Sequence, residues 1–151
     1  MKSTWTKKAA VAFAIVFLSF SFVSGSGSDV IVENLVCQRV KILDDFFDGK
    51  STFSEASDSI SAIESGNLLR EDINMMQDFF RTDIEKVLDF KVKEIKITYE
   101  DDEIICAAVS IEWQIERLIP NNFSDSTEKI ISSYSIIVEK YENSYKLVQF
   151  F

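Results

Sequence analysis

The sequence predicts an α+β fold, with N-terminal helices packed on a C-terminal four-stranded antiparallel meander, a cystatin-like roll. Apolar residues recur at helical spacing up to residue 87 and alternate with polar ones from residue 94 onward. Only four glycines and one proline interrupt them, so the elements are long and the connections short.

Ahead of this pattern, Ala9 to Val23 form a 15-residue apolar run with only Ser19 and Ser21 as polar members. Lys2, Lys7 and Lys8 precede it and Ser24-Gly25-Ser26-Gly27 follow, which is the physical description of a secretory signal. Val23 and Gly25 suit a cut after Gly25, giving residues 1–25 as a signal peptide and 26–151 as a single α+β domain. The run is shorter than the ~20 apolar residues that span a bilayer, so no stable membrane span is expected after cleavage. A lipid anchor needs a cysteine just past the run, and the first is Cys37. The expected address is secreted or extracytoplasmic.

Helical spacing of Val32, Leu35, Val36, Leu43, Phe46 and Phe47 predicts a first helix over Asp29 to Asp48, stopped by Gly49. Thr52-Phe53-Ser54-Glu55 has capping-box form and opens a second helix carrying Phe53, Ala56, Ile60 and Ile63, which runs until Gly66. Asn67 caps a third, with Leu69, Ile73, Met76, Phe80, Ile84 and Val87 on one stripe and a re-nucleation at Thr82-Asp83-Ile84-Glu85.

Period two begins with Ile95, Ile97 and Tyr99 and continues through Ile105, Ala107, Val109, Ile111, Trp113 and Ile115. A loop from Leu118 to Thr127 carries Pro120. Ile130, Tyr134, Ile136 and Val138 mark a third strand, and Asn143 lies in the turn to a fourth, Tyr145 to Phe151. A three-residue turn, Asp101 to Glu103, pairs Ile97 with Ala107. That register puts Ile95, Ile97, Tyr99, Ile105, Val109, Ile111 and Trp113 on one face. Cys106 then falls on the polar face while Cys37 is helical. The two cysteines allow one bridge at most, an awkward one, and two unpaired thiols are the simpler expectation.

The order of elements, the size, the export signal and the closing Tyr141-Glu142-Asn143-Ser144-Tyr145-Lys146-Leu147-Val148 hairpin resemble small exported members of the nuclear transport factor two-like superfamily, also called cystatin-like. The resemblance implies a pocket between helix and curved sheet. Superfamily members include enzymes, ligand carriers and interaction domains, so it does not select among them.

Composition excludes more than it assigns. The chain carries a formal net charge of −9, which becomes −12 once the three leader lysines are removed. Nucleic acid is therefore not an expected partner, since phosphate contact needs a basic footprint. The absence of histidine removes Ser-His-Asp and Cys-His catalysis, histidine-ligated zinc and histidine pH switching.

Three local candidates remain. Asp44, Asp48 and Glu55 occupy the first, fifth and twelfth positions of a calcium-loop frame, with Gly49 at the sixth; Phe46 at the third lacks the oxygen ligand required there. Glu100-Asp101-Asp102-Glu103 lies on a turn, where its side chains splay into water. Asn122-Phe123-Ser124 matches a glycosylation sequon. Met76 and Phe80 are placed to face Tyr99, Trp113 and Tyr134 across the sheet, as a ligand pocket or as plain core. The expectation is an exported, non-catalytic binding or interaction domain for a protein partner or a small ligand, with no cofactor. The alternatives are a histidine-free enzyme using Asp/Glu and Tyr in the cavity, and a calcium-dependent module.

Overall fold

Three helices precede four strands in a computed structural model that describes residues 27–78, 85–117 and 126–151. The elements are α1 (Gly27–Phe47), α2 (Phe53–Ile63), α3 (Gly66–Gln77), β1 (Glu85–Glu100), β2 (Ile104–Arg117), β3 (Ser126–Tyr141) and β4 (Ser144–Phe150). The sheet is an antiparallel meander in the order β1-β2-β3-β4, as the alternation predicts. The leader at 1–25, Phe80, Ile84 and the sequon at Asn122 lie outside the described residues. No helix among the described residues is long and apolar enough to cross a membrane.

Local chemistry explains the helix boundaries. Gly49 has φ 73°, the left-handed conformation that closes α1, and Lys50 N donates to Asp45 O at 2.8 Å across the turn. The capping box at α2 is complete: Glu55 N donates to Thr52 Oγ1 at 3.3 Å, and Thr52 N donates to Glu55 Oε2 at 2.8 Å. Thr52→Ala removes the first of these bonds and is expected to cost about 1 kcal/mol in a urea titration. The third helix departs from expectation at both ends. Ser65, not Asn67, is its N-cap, and Gly66, left-handed at φ 66°, is its first residue; α2 has already ended at Ile63, with Glu64 as its C-cap.

The stripe expected to reach Val87 stops at Gln77, and Val87 belongs to a strand. The reason is three irregularities in β1, between Val87 and Asp89, Val92 and Glu94, and Ile97 and Tyr99. An extra residue at each site shifts the alternation, so Val87, Phe90, Val92, Ile95 and Ile97 share a face at spacings of three and two, which imitate a helix.

Ile97 pairs with Ala107 as expected, but through the irregularity at Thr98 and not through a three-residue turn: Glu100 pairs with Ile105, and Asp101 N donates to Ile104 O at 3.0 Å to close a tighter turn over Asp102 and Glu103. Asp101 builds that turn, its Oδ1 accepting from Glu103 N and Ile104 N at 2.8 Å each. The third irregularity, however, sets Tyr99 opposite Cys106 and turns it to the polar face, where it is 53% exposed and donates to Asp101 Oδ2.

One face of the sheet meets the helices. Val32 and Val36 of α1, Ile60 of α2, Ile111 of β2, Ile136 and Val138 of β3 and Leu147 of β4 are excluded from solvent. Hydrophobic burial of this kind supplies the main driving force for folding. Although β4 is short, it joins the helices directly: Ser65 N donates to Leu147 O at 3.0 Å, and Lys146 Nζ donates to Ser61 O at 2.9 Å.

Candidate functional site

The side chains of β1, β2 and β3 that point toward the helical layer continue past the buried core. Val87, Trp113, Ile115, Ile130, Ser132 and Tyr134 line an open groove of about 300 Å³ there. Pairing explains the cluster: Val87 is opposite Ile115, Trp113 opposite Ile130, and Val109 opposite Tyr134. Trp113 Nε1 donates to Tyr134 Oη at 3.1 Å, which satisfies the polar atom of each ring and fixes both. Phe90 stacks tilted on Trp113 at 5.9 Å, Trp113 meets Tyr134 edge-on at 6.3 Å, and Tyr134 meets Phe150 at 4.7 Å.

This aromatic row ends at a charge. The Arg39 guanidinium lies 4.4 Å from the Phe150 ring centroid. The same guanidinium holds two buried carboxylates: Nε donates to Glu64 Oε1 at 3.0 Å and to Asp72 Oδ2 at 2.9 Å, while Nη2 donates to Asp72 Oδ1 at 2.8 Å. The second oxygen of Glu64 has no hydrogen-bond partner among the described residues. Burial pushes the Glu64 carboxyl up to about 8, the Asp72 charge adds to the rise, and Arg39 opposes it. Asp72 shares the buried face of α3 with Leu68 and Met76.

Of the residues singled out by sequence, the structure brings Trp113 and Tyr134 together in the groove. Met76 is buried in the core beneath the helices and does not line the groove. Tyr99 faces the other way. Val87, Ile115, Ile130 and Ser132 complete the lining; the last three share strand parity with Trp113 and Tyr134, a signal present in the sequence.

Both cysteines are free. Cys106 projects opposite to the buried Ile105 and Ala107, so the sheet stands between it and Cys37 on α1, and no bridge forms between them. Burial, reinforced by Glu33, pushes the Cys37 thiol up to about 11, which leaves it a poor nucleophile.

The carboxylates of the calcium-loop frame do not converge. Asp48 pairs with Lys50 at 2.9 Å and lies 3.8 Å from Lys86, while Glu55 is occupied by the Thr52 cap. Asp44 is held above the usual carboxylate range by burial and by Asp48. Among the described residues no group of three or more Cys, Asp or Glu is arranged to hold a metal ion.

No family model matches the chain. No curated protein matches it either. Among solved structures, it is similar to the crystal structure of the intermembrane space region of the chloroplast protein ARC6, at 13% identity and a TM-score of 0.49, over 80% of this chain and 92% of that one.

Proposed function

We propose that this chain is an exported, non-catalytic interaction domain whose groove receives apolar side chains of a protein partner. The carrying observation is the groove itself: it is open, about 300 Å³, and lined by aliphatic and aromatic side chains whose only polar groups are hydroxyls and the Trp113 N–H. That volume sits at the lower end of the range for enclosed small-molecule sites, ~300–1,000 Å³, so an open site of this size suits one or two protruding side chains. Among the described residues no carboxylate belongs to the lining, and Glu64 and Asp72 are committed to Arg39, which favours binding over acid-base chemistry. Helices on one face of a meander support the nuclear transport factor two-like reading, and the basic, apolar, then small-residue start supports export.

The test is a photo-crosslinking amino acid placed at Ser132, inside the groove, and separately at the exposed Lys96, in the secreting cell. A single crosslinked protein from the Ser132 position, none from Lys96, and loss of the product with Trp113→Ala is the expected result. Trp113→Ala is expected to weaken that partner by about 2 kcal/mol, roughly thirtyfold in Kd. Equal crosslinking from both positions overturns the reading. So does a purified chain that retains a small organic molecule in native mass spectrometry and loses it with Trp113→Ala.

A further inference from the structure

The two edges of this sheet are built differently. The β1 edge carries Lys86, Lys91, Lys93 and Lys96 and three ladder irregularities, the devices that discourage another strand from adding to an edge. The opposite edge is shared by β4 and β3. Strand β4 covers only Ile136–Tyr141 of β3, with Leu147 bridged on its other side to Glu64, and a last pair of backbone bonds joins Ser135 to Phe151, N to O at 2.6 Å and 3.2 Å. The remainder of β3 is paired to β2 without any irregularity, and no described residue pairs with its other side.

Backbone direction follows from these bonds. Ser135 directs its N–H and C=O away from β2, and backbone direction alternates along a regular antiparallel strand. Thr127, Lys129, Ile131 and Ser133 therefore direct theirs the same way. This stretch has no proline, no glycine and no bulge, and at its centre Ile131 is 64% exposed. The intervening Ile130, Ser132 and Tyr134 send their side chains into the groove.

We infer that the partner of the groove binds as an added β-strand, an extended segment pairing antiparallel or parallel to β3 along Thr127–Ser133 with an apolar side chain at every second position. This rests on the groove reading and specifies its mode. Backbone bonds to the β3 edge supply sequence-independent affinity, while the side chains of one parity lie beside Ile130 and Tyr134 and reach over Trp113. A second copy of this chain fits less well. It would present Glu128 and Ser132 on the inward side beside the groove, and two copies at net charge −9 repel one another.

Proline separates strand addition from folding, because at Ile131 it removes an N–H that β2 does not use. The probe is a displayed library of random ~12-residue peptides, long enough to cover the ~20 Å from Thr127 to Ser133, selected against the full chain. The expected result is enrichment of alternating apolar residues, loss of affinity by at least ~10-fold in Ile131→Pro, and slowed amide exchange at Thr127, Lys129, Ile131 and Ser133 on binding. Ile131→Pro must keep the melting cooperativity of the parent; Ile131→Lys, which leaves the backbone intact, supplies a second reading of the same edge.

Peptides that need Trp113 but bind Ile131→Pro and Ile131→Lys as tightly as the parent would overturn strand addition and leave the groove reading standing. Peptides indifferent to Trp113 as well, or no enrichment at all, would overturn both. Slow exchange of those four amides in the chain alone would mean that the edge is already covered, and it would also overturn the inference. A dimer abolished by Ile131→Pro would assign the edge to a second copy instead.

Discussion

Replacing Arg39 by methionine is expected to destabilise the fold by about 3–5 kcal/mol at neutral pH, the cost of leaving the buried Asp72 without the guanidinium that holds it. The stem of the side chain is nearly preserved, so loss of packing is not the cause. What disappears is the fork that holds Asp72 by two bonds and Glu64 by one, together with the contact on Phe150. Arg39→Lys keeps the charge and loses the fork, so it should fall between the two. Urea unfolding at several pH values checks the assignment. The penalty in Arg39→Met should grow as the pH rises through about 8 and Glu64 loses the proton that Arg39 helps it release, whereas a packing defect would stay constant. A loss below about 1 kcal/mol at pH 7 would show that the cluster does not need its cation.

The second large effect is a pH dependence. Glu64 is fully buried, one of its oxygens lacks a partner among the described residues, and its folded pKa is raised from 4.5 to about 8 by burial and Asp72. Between those values the folded state holds a proton that the unfolded chain releases. The stability Glu64 contributes is therefore fully present below about 4.5 and lost as the pH rises through about 8. Glu64→Gln removes the titration, so it is expected to stabilise the protein by about 1–3 kcal/mol at pH 9 and to change little at pH 5. Guanidinium unfolding at both pH values distinguishes the outcomes. Equal effects of the substitution at pH 5 and pH 9 would exclude Glu64 as the titrating group.

The same cluster shows why parts of this fold are legible in the sequence and others are not. The α2 capping box, the Gly49 stop and the Ile97 to Ala107 register follow from local chemistry and from one face being apolar. Strand β1 hides because its irregularities replace alternation with a helix-like spacing, and only the stretch after Glu94 declares itself. A related shift in β4, between Ile137 and Val138 on its partner strand, lets Phe150 share a face with Tyr145 and Leu147.

Asp72 escapes notice because a charge among Leu68 and Met76 looks like a solvent position until Arg39, distant in sequence, is placed beside it. Of the five residues expected around a pocket, Phe80 lies outside the described residues, and Tyr99 and Met76 do not line the groove. Tyr99 is displaced by a bulge, and Met76 belongs to the core under the helices. Trp113 and Tyr134 do line the groove, because they sit on strands paired with each other without irregularity, where parity alone fixes direction.

The bond from Ser65 to Leu147 and the one from Lys146 to Ser61 tie the second and third helices to the last strand across more than half of the sequence. Contacts that distant are slow to form, since the intervening chain must first be brought together. As the polypeptide is synthesised, its helical half comes first and waits for the strands that cover it, β4 last of all. Until residues 144–150 arrive, the second and third helices lack their bonds to the last strand and stay more open to proteases and to chaperones.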